Sequence, residues 1–252
     1  MHGGGVGGGL VRLLLPRLVH DPDSPMPLNE QITIPELFQS IAKEAEAVRS
    51  QSVRRYGRLW DAYITIGGLL SSLSSQGAED SISVSQSASQ RISLTVNLLQ
   101  STTIVEQTIS SGFYWAACAL LRQHMEALAR IILIRDGKTA INSHPPNVSV
   151  LPFNLASNYG RLSEFVHVSR GELLSDFALS SSGEEIATYA PTYREEWSRD
   201  LLHVHIAHMN VLAGEIHVLH QELYPIKALL DPSGRLQEVA TILIEEGFWK
   251  NL

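Results

Sequence analysis

The sequence predicts an all-α protein, a multi-helix bundle of about five or six helices that follows a flexible N-terminal extension. Apolar residues recur every three or four positions through most of the 252 residues, and no long stretch alternates apolar with polar residues. The chain is 44% hydrophobic and 18% charged, as is typical of a globular protein rather than of a disordered one. We therefore expect residues 31–252 to form a single helical domain.

Residues 1–30 depart from the helical pattern. This stretch is rich in glycine, and it closes with Pro22, Pro25 and Pro27. Glycine leaves the backbone free and proline lacks the amide N–H that a helix needs. The stretch also lacks the compact apolar segment of a signal peptide. It is therefore predicted to be a flexible Gly/Pro-rich extension.

The first helix is predicted to start at Thr33. Thr33 is a suitable N-cap, Pro35 fits the first helical turn, and Glu36 complements the positive end of the helix dipole. Apolar residues then recur at helical spacing from 37 to 63. The pattern indicates one long amphipathic helix, with a break expected at the two glycines 67–68.

Further helical patterns follow along the chain. They cover residues 88–103, 112–136, 153–168, 193–224 and 236–246, with a shorter pattern around 172–179. The pattern at 88–103 carries many hydroxyl side chains, which compete for backbone hydrogen bonds. The pattern at 112–136 is apolar on nearly all sides. We therefore expect the helix at 112–136 to lie at the centre of the bundle.

Charge and cysteine content exclude some classes of protein. The formal net charge of -7 disfavours a surface that coats nucleic acid. The most apolar window, 112–134, contains Arg122, His124, Glu126 and Arg130, so it is not predicted to span a membrane. The single cysteine, Cys118, lies in an apolar run and is expected to be buried. A soluble protein of the reducing cytoplasm, with no membrane partner, is the expectation.

Charged residues on the central helix form a stripe. Arg122, Glu126 and Arg130 follow one another at four-residue steps, so they share one face of the helix. Because buried charges need partners, we expect an ion-pair ladder along a seam between helices. In an alternative interpretation, Arg122 faces a pocket and holds an anionic ligand. Arg122 and Glu126 are predicted to belong to a buried polar cluster with His208 and Glu215.

Five of the ten histidines lie in the long pattern at 193–224, namely His203, His205, His208, His217 and His220. A helical projection places His203, Asn210 and His217 on a narrow polar arc that is expected to face solvent. It places His205, His208 and Glu215 on the broad apolar arc instead. His124 of the central helix is likewise predicted to be a buried histidine that is satisfied by hydrogen bonds.

A metal site is one interpretation of these histidines. His205 and His208 are one turn apart, so they can share a metal only if Glu126, Glu215 or another helix supplies a further ligand. Neither Glu-x-x-His nor His-Glu-x-x-His occurs among them. We therefore assign no metal ligands and expect no cofactor, and a histidine-rich metal-binding protein remains an alternative.

Two stretches pair an arginine with a histidine six residues later, Arg199 with His205 and Arg161 with His167. The spacing resembles that of the HEPN domains, which are small helical domains that cleave RNA without a metal ion. The resemblance implies that Arg199 and His205 are catalytic, with Asp200 positioning them. Arg161 and His167 form the weaker alternative pair, because Leu162 replaces the polar residue that often follows the arginine.

A broader resemblance covers residues 113–167. The segments 122–126 and 159–167 resemble parts of uncharacterised bacterial helical proteins that are placed near the HEPN domains. This likeness implies a helical fold and no particular activity. The sequence therefore leaves three hypotheses: a self-associating interaction module that forms a homodimer, an RNA-binding HEPN-like ribonuclease, and a histidine-rich metal-binding protein.

Overall fold

The computed structural model describes residues 34–76, 83–138, 144–167 and 190–248. Within these ranges the chain forms seven α-helices and one short 3-10 helix, and it contains no strand. The predicted all-α bundle is therefore confirmed. The predicted extension at 1–30 and the predicted short helix at 172–179 lie outside the described residues.

The seven helices follow the predicted order closely. They are α1 (Ile34–Tyr56), α2 (Arg58–Ser74), α3 (Gln86–Ser110), α4 (Tyr114–Arg135), α5 (Ala156–Val166), α6 (Glu195–Leu223) and α7 (Ser233–Glu245), with the 3-10 helix at Val148–Val150. Ser85 caps α3, because its hydroxyl accepts a hydrogen bond from the Ala88 amide at 3.1 Å. The periodicity of the apolar residues therefore located α3 to α7, whereas α1 and α2 were predicted as one helix.

The break in the first long pattern lies at Gly57, and the prediction of a break at 67–68 is wrong. Gly57 has a φ of 54°, in the left-handed region that favours glycine, and it separates α1 from α2. Gly67 and Gly68 instead lie inside α2. A Cβ at Gly67 would come within 4.0 Å of the Met209 methyl group of α6, so this glycine lies at a helix contact.

The central helix of the bundle is α6, which corrects the prediction for the helix at 112–136. All thirteen residues from 201 to 213 are buried. Neighbouring helices surround this part of α6, which packs against α1, α2, α3, α4 and α7. Because this stretch is covered on all sides, its three histidines His203, His205 and His208 do not mark a solvent-facing surface, whereas His217 and His220 beyond it are partly accessible.

His203 and Asn210 are buried, so the prediction that they face solvent is also wrong. The His203 ring stacks on Phe248, with 5.5 Å between the ring centroids and 14° between the planes. Phe248 follows α7 directly, and α7 packs against both α2 and α6. The C-terminal part of the chain therefore covers His203, one end of the polar arc that the projection assigned to water, while His217 at the other end is partly accessible.

Polar contacts attach the second half of α1 to α3. Arg49 donates from Nη2 to the Glu106 carboxylate at 3.1 Å and from Nη1 to the Ser110 hydroxyl at 2.8 Å. Ser52 donates to the Ser110 carbonyl oxygen at 2.8 Å. The first turns of α1 are exposed by contrast, since Phe38 is 64% accessible. The ion pair between Arg49 and Glu106 therefore holds α1 on the bundle at one end.

Gly112, in the turn between α3 and α4, is expected to be the glycine most sensitive to substitution. Its φ is 83°, and an added Cβ would meet the Thr192 carbonyl oxygen and Val48 Cγ1, both at 3.1 Å. Gly112→Ala should therefore lower the free energy of unfolding by about 2 to 3 kcal/mol, measured by urea denaturation. Gly234→Ala is the control, because a Cβ there meets open space. Equal stabilities of the two variants would contradict this expectation.

Candidate functional site

A hydrogen-bonded network on the surface joins α4 to α5, and we call its four residues the Arg122 cluster: Arg122, Glu126, Tyr159 and His167. Arg122 Nε donates to Glu126 Oε1 at 3.1 Å and lies 3.4 Å from the Tyr159 hydroxyl. Tyr159 donates to the same carboxylate oxygen at 2.7 Å. Arg122 Nη1 lies 3.0 Å from His167 Nε2. Four chemically active side chains therefore meet at one seam.

The network stabilises the charged form of Arg122. The hydrogen bond with Tyr159 is the largest influence on the Arg122 guanidinium and raises its pKa, while partial burial works the other way. A guanidinium has no acceptor atom, so His167 Nε2 is the acceptor in the contact with Arg122. The rest of the imidazole is exposed.

Helical spacing brings the cluster together. Arg122 and Glu126 are one turn apart on α4, while Tyr159, Ser163 and His167 follow at four-residue steps along and just beyond α5. Leu162 and Phe165 of α5 are buried and hold that helix against the core. The Ser163 hydroxyl oxygen is buried and makes no hydrogen bond with any described residue. Beside the cluster, on the same face of α5 as Tyr159 and His167, there is thus one polar atom with unused hydrogen-bonding capacity.

A second polar group, the histidine core, lies in the interior and consists of His124, His205 and His208. The ring of His124 is 6.2 Å from that of His205 and 6.4 Å from that of His208, measured between centroids. His124 Nε2 lies 2.7 Å from the Ser101 hydroxyl. Neither ring nitrogen of His208 has a hydrogen-bond partner in the described ranges. The prediction of satisfied core histidines therefore holds for His124 and fails for His208.

Burial sets the pKa values of the interior histidines. It lowers the pKa of His124 and of His203 to about 4, and that of His205 to about 3, since the charged imidazolium loses its hydration. Repulsion from His124 lowers the pKa of His205 further. The pKa of His208 is also well below its ordinary value, for the same two reasons and because of His205. These histidines are neutral at physiological pH.

The three imidazoles of the histidine core are not placed to hold a metal ion, and neither predicted carboxylate joins them. The two carboxylates considered for this role lie elsewhere, since Glu126 belongs to the Arg122 cluster and Glu215 pairs with Arg135. Among the described residues, no three histidine, cysteine or acidic side chains are placed to hold a metal ion. A cavity of about 10 Å³ adjoins His124 and His208. It is about large enough for one water molecule.

The structure does not bring the pair Arg199 and His205 together. Arg199 donates to Glu246 at 2.6 Å and to the Arg55 carbonyl oxygen at 2.9 Å. His205 is fully buried on another side of α6, because six residues turn a helix by about 240°. Asp200 makes an ion pair at 3.0 Å with Arg161 rather than positioning Arg199.

The weaker pair is also separated, because Arg161 lies against Trp197 and Asp200 while His167 lies against Arg122. His167 therefore does meet an arginine, but one from α4 rather than from its own helix. Sequence reasoning missed this pairing. The two residues lie on different helices, so no local spacing in the sequence signals the contact.

The predicted buried polar cluster divides into three places. Arg122 and Glu126 form one ion pair at the surface seam, while His208 lies in the interior. Glu215 pairs with Arg135 near the end of α4. The predicted ladder is therefore confirmed for the step from Arg122 to Glu126. Arg130 instead points its guanidinium at the His144 carbonyl oxygen, 3.4 Å away.

Cys118 lies on the inner side of α4 and is fully buried, as predicted. Burial raises the pKa of its thiol to about 12, and the nearby positive charge of Arg161 opposes that shift only in part. A thiol with such a pKa forms almost no thiolate at neutral pH. Cys118 is therefore a packing residue rather than a nucleophile.

Comparison with known proteins gives no family for this chain. No protein-family model matches it, and no curated protein or solved structure matches it. In the part of the chain that the structure describes, no helix has both the length and the apolar character that crossing a bilayer requires.

The outward face of α3 is a third notable feature, and we call it the α3 face. Its eleven exposed residues are all uncharged: Gln86, Ser87, Ser89, Gln90, Ser93, Val96, Asn97, Gln100, Thr103, Ile104 and Gln107. The only charged residues of this fully described helix, Arg91 and Glu106, are buried. Arg91 pairs with Glu222 of α6, and Glu106 with Arg49 of α1. The usual distribution of charge on a surface helix is therefore reversed.

Proposed function

We propose that this protein is a self-associating helical module and that two copies meet through the α3 face. The observation that carries the proposal is the absence of any exposed charge on this fully described helix. About a quarter to a third of the residues on a soluble protein surface are ordinarily charged. Eleven exposed positions without a charge depart from that pattern. Depletion of charge is instead characteristic of the central part of a protein interface.

A second copy of the chain is the partner that fits this face. In a two-fold dimer each residue near the axis meets its own copy, so any charge there would face a like charge. Serine, threonine, asparagine and glutamine both donate and accept hydrogen bonds, and they can therefore pair with themselves. Each chain carries a formal charge of -7, so approach through charged faces would add repulsion. The α3 face avoids both costs.

The apolar residues of this face lie along one stripe. Val96 and Ile104 are 44% and 53% accessible, and Gln100 lies midway between them at four-residue steps. From 86 to 107 the face extends for about 33 Å, which is 22 residues at 1.5 Å each. Two such helices packed side by side would cover the exposed isoleucine and valine of both copies. Burial of these side chains would supply the hydrophobic part of the association free energy.

The test is the molar mass in solution, measured by sedimentation velocity over a range of concentrations. The wild-type chain should form a dimer, and Ile104→Arg should shift it to monomer, because two guanidinium groups would meet across the axis. We expect the dissociation constant to rise by at least about a hundredfold. Ile244→Arg is the matched control, since Ile244 of α7 is 52% accessible and lies away from α3. It should leave the dimer intact.

Two results would overturn the proposal. A wild-type chain that stays monomeric at high concentration would remove self-association altogether. A dimer that Ile104→Arg and Ile244→Arg leave equally intact would place the interface on another face.

A further inference from the structure

We propose that the seam between α4 and α5 binds a nucleoside monophosphate, with the phosphate on Arg122 and the base on Trp115. This site goes beyond self-association and does not involve the α3 face. It also differs from the two stretches that pair an arginine with a histidine six residues later, because its arginine, Arg122, lies on α4. Three features carry the inference: an arginine held in place with a free edge, an exposed and anchored indole, and a small residue between them.

Arg122 is held in place while part of its guanidinium stays free. Its Nε and Nη1 atoms contact Glu126, Tyr159 and His167, and its carbon lies 5.4 Å from the centroid of the Tyr159 ring. Nη2 makes no hydrogen bond with any residue that the structure describes. His167 Nε2 contacts Nη1 and helps to hold the guanidinium in this orientation. A guanidinium edge that is already positioned suits an anionic oxygen, as in a phosphate.

Trp115 supplies an aromatic surface on the same side of α4. It precedes Arg122 by seven residues, which is two turns and about 10.5 Å along the helix axis. The indole is 47% accessible, yet its Nε1 donates to the Phe165 carbonyl oxygen at 3.2 Å. That hydrogen bond anchors the ring two residues before His167. An exposed tryptophan held in one orientation offers a surface on which a base can stack.

A small residue separates the ring from the cation along α4. Ala119 is the α4 residue on this face between Trp115 and Arg122, four residues after the first and three before the second. The Ser163 hydroxyl lies on the adjoining face of α5, buried and without a partner among the described residues.

The ligand that matches these groups carries a planar ring and a phosphate in one molecule. A nucleoside monophosphate has both, whereas a bare phosphate would leave Trp115 unused and an uncharged base would leave Arg122 unused. The nucleoside monophosphate can be a free nucleotide or the terminal nucleotide of a short RNA strand. The formal charge of -7 on the chain disfavours a long polyanion and favours the free nucleotide.

Isothermal titration of the full chain with AMP, CMP, GMP and UMP tests this site. At least one monophosphate should bind at concentrations up to about 1 mM. Adenosine and ribose 5-phosphate should each bind at least about tenfold more weakly than AMP, because each lacks one of the two groups. A short oligoribonucleotide that binds more tightly than the monophosphates would identify a strand as the natural source. Weaker or equal binding would identify the free nucleotide.

Variants distinguish this site from unspecific binding. Arg122→Gln and Trp115→Ala should each weaken binding at least about tenfold, and Trp115→Phe should retain it. His167→Gln, at an exposed position outside the helix, should weaken binding without any risk to the fold. Arg54→Gln and Phe38→Ala, which change an exposed cation and an exposed ring on α1, should bind as the wild type does.

Thermal melting followed by circular dichroism would establish that each variant is folded. The proposal is overturned if no monophosphate binds the wild-type chain. It is equally overturned if ribose 5-phosphate binds as well as AMP does. It also fails if the folded His167→Gln and Trp115→Ala variants retain wild-type affinity.

Discussion

Acidification from about pH 7.5 to pH 5 should strongly destabilise this protein, because its interior histidines bind protons only after the chain opens. An exposed histidine in the unfolded chain has a pKa of about 6.5. Burial lowers the pKa of His124 and His203 to about 4 and that of His205 to about 3. The unfolded chain therefore binds more protons than the folded chain below pH 6.5. Stability is complete above that pH and falls as the pH approaches 4.

The expected loss is comparable to the whole stability of a typical domain. At pH 5 each of the three histidines favours the unfolded chain by about 2 kcal/mol, which is 1.5 pH units at about 1.4 kcal/mol each. Together they amount to about 6 kcal/mol, against a usual stability of about 5 to 15 kcal/mol. The fully buried His208 acts in the same direction. Urea denaturation at several pH values measures the change.

A single substitution tests the cause of this acid sensitivity. His205→Leu removes one proton-binding group from the interior, so at pH 5 the variant should lose about 2 kcal/mol less than the wild type does. His144→Gln, at an exposed position, should follow the wild-type curve. A free energy of unfolding that stays constant from about pH 7.5 to pH 5 would contradict the prediction.

Arg49→Met should destabilise the fold by about 3 to 5 kcal/mol, because it leaves the Glu106 carboxylate buried without its cation. Glu106 is only 3% accessible, and its ion pair with Arg49 joins α3 to α1. Chemical denaturation monitored by circular dichroism measures the loss. A second substitution, Glu106→Gln, made together with Arg49→Met, should recover most of it, since it removes the unpaired charge.

An exposed ion pair supplies the control for this experiment. Arg58 and Glu245 join α2 to α7, and both side chains are about half accessible. Arg58→Met should therefore change the stability by less than about 1 kcal/mol. If Arg49→Met costs no more than Arg58→Met, the buried pair does not hold α1 in place. If the double variant is no more stable than Arg49→Met alone, the loss has another cause than the unpaired carboxylate.

The apolar periodicity was sufficient to predict the helices but not their positions relative to one another. Repeats at three and four residues are local, so they located α3, α4 and α6 along the chain. Which helix is central depends on how many neighbours cover it, and that is a property of the whole bundle. His203 illustrates the difference, because its polar arc faces Phe248 rather than water. A projection of one helix contains no information about residues elsewhere in the chain that pack over it.

The sites show the same limit. Arg122 and Glu126 were predictable as an ion pair because four-residue spacing fixes their distance on one helix. His167 lies 45 residues further along the chain, and only the packing of α5 against α4 places it beside Arg122. The burial of the two charged residues of α3 could not be predicted either. Arg91 and Glu106 lie inward because they pair with Glu222 and Arg49 on other helices, and a projection of α3 alone does not include those partners.

The enclosed Cys118 makes the chain its own reporter of conformational opening. The only sulfhydryl group of the sequence lies among core side chains of α4, so an alkylating reagent reaches it only when that part of the bundle separates. The rate of labelling then depends on the fraction of molecules in which this part of the bundle is open. Opening of the native interior can thus be followed in the unmodified protein, because each chain takes up a single label.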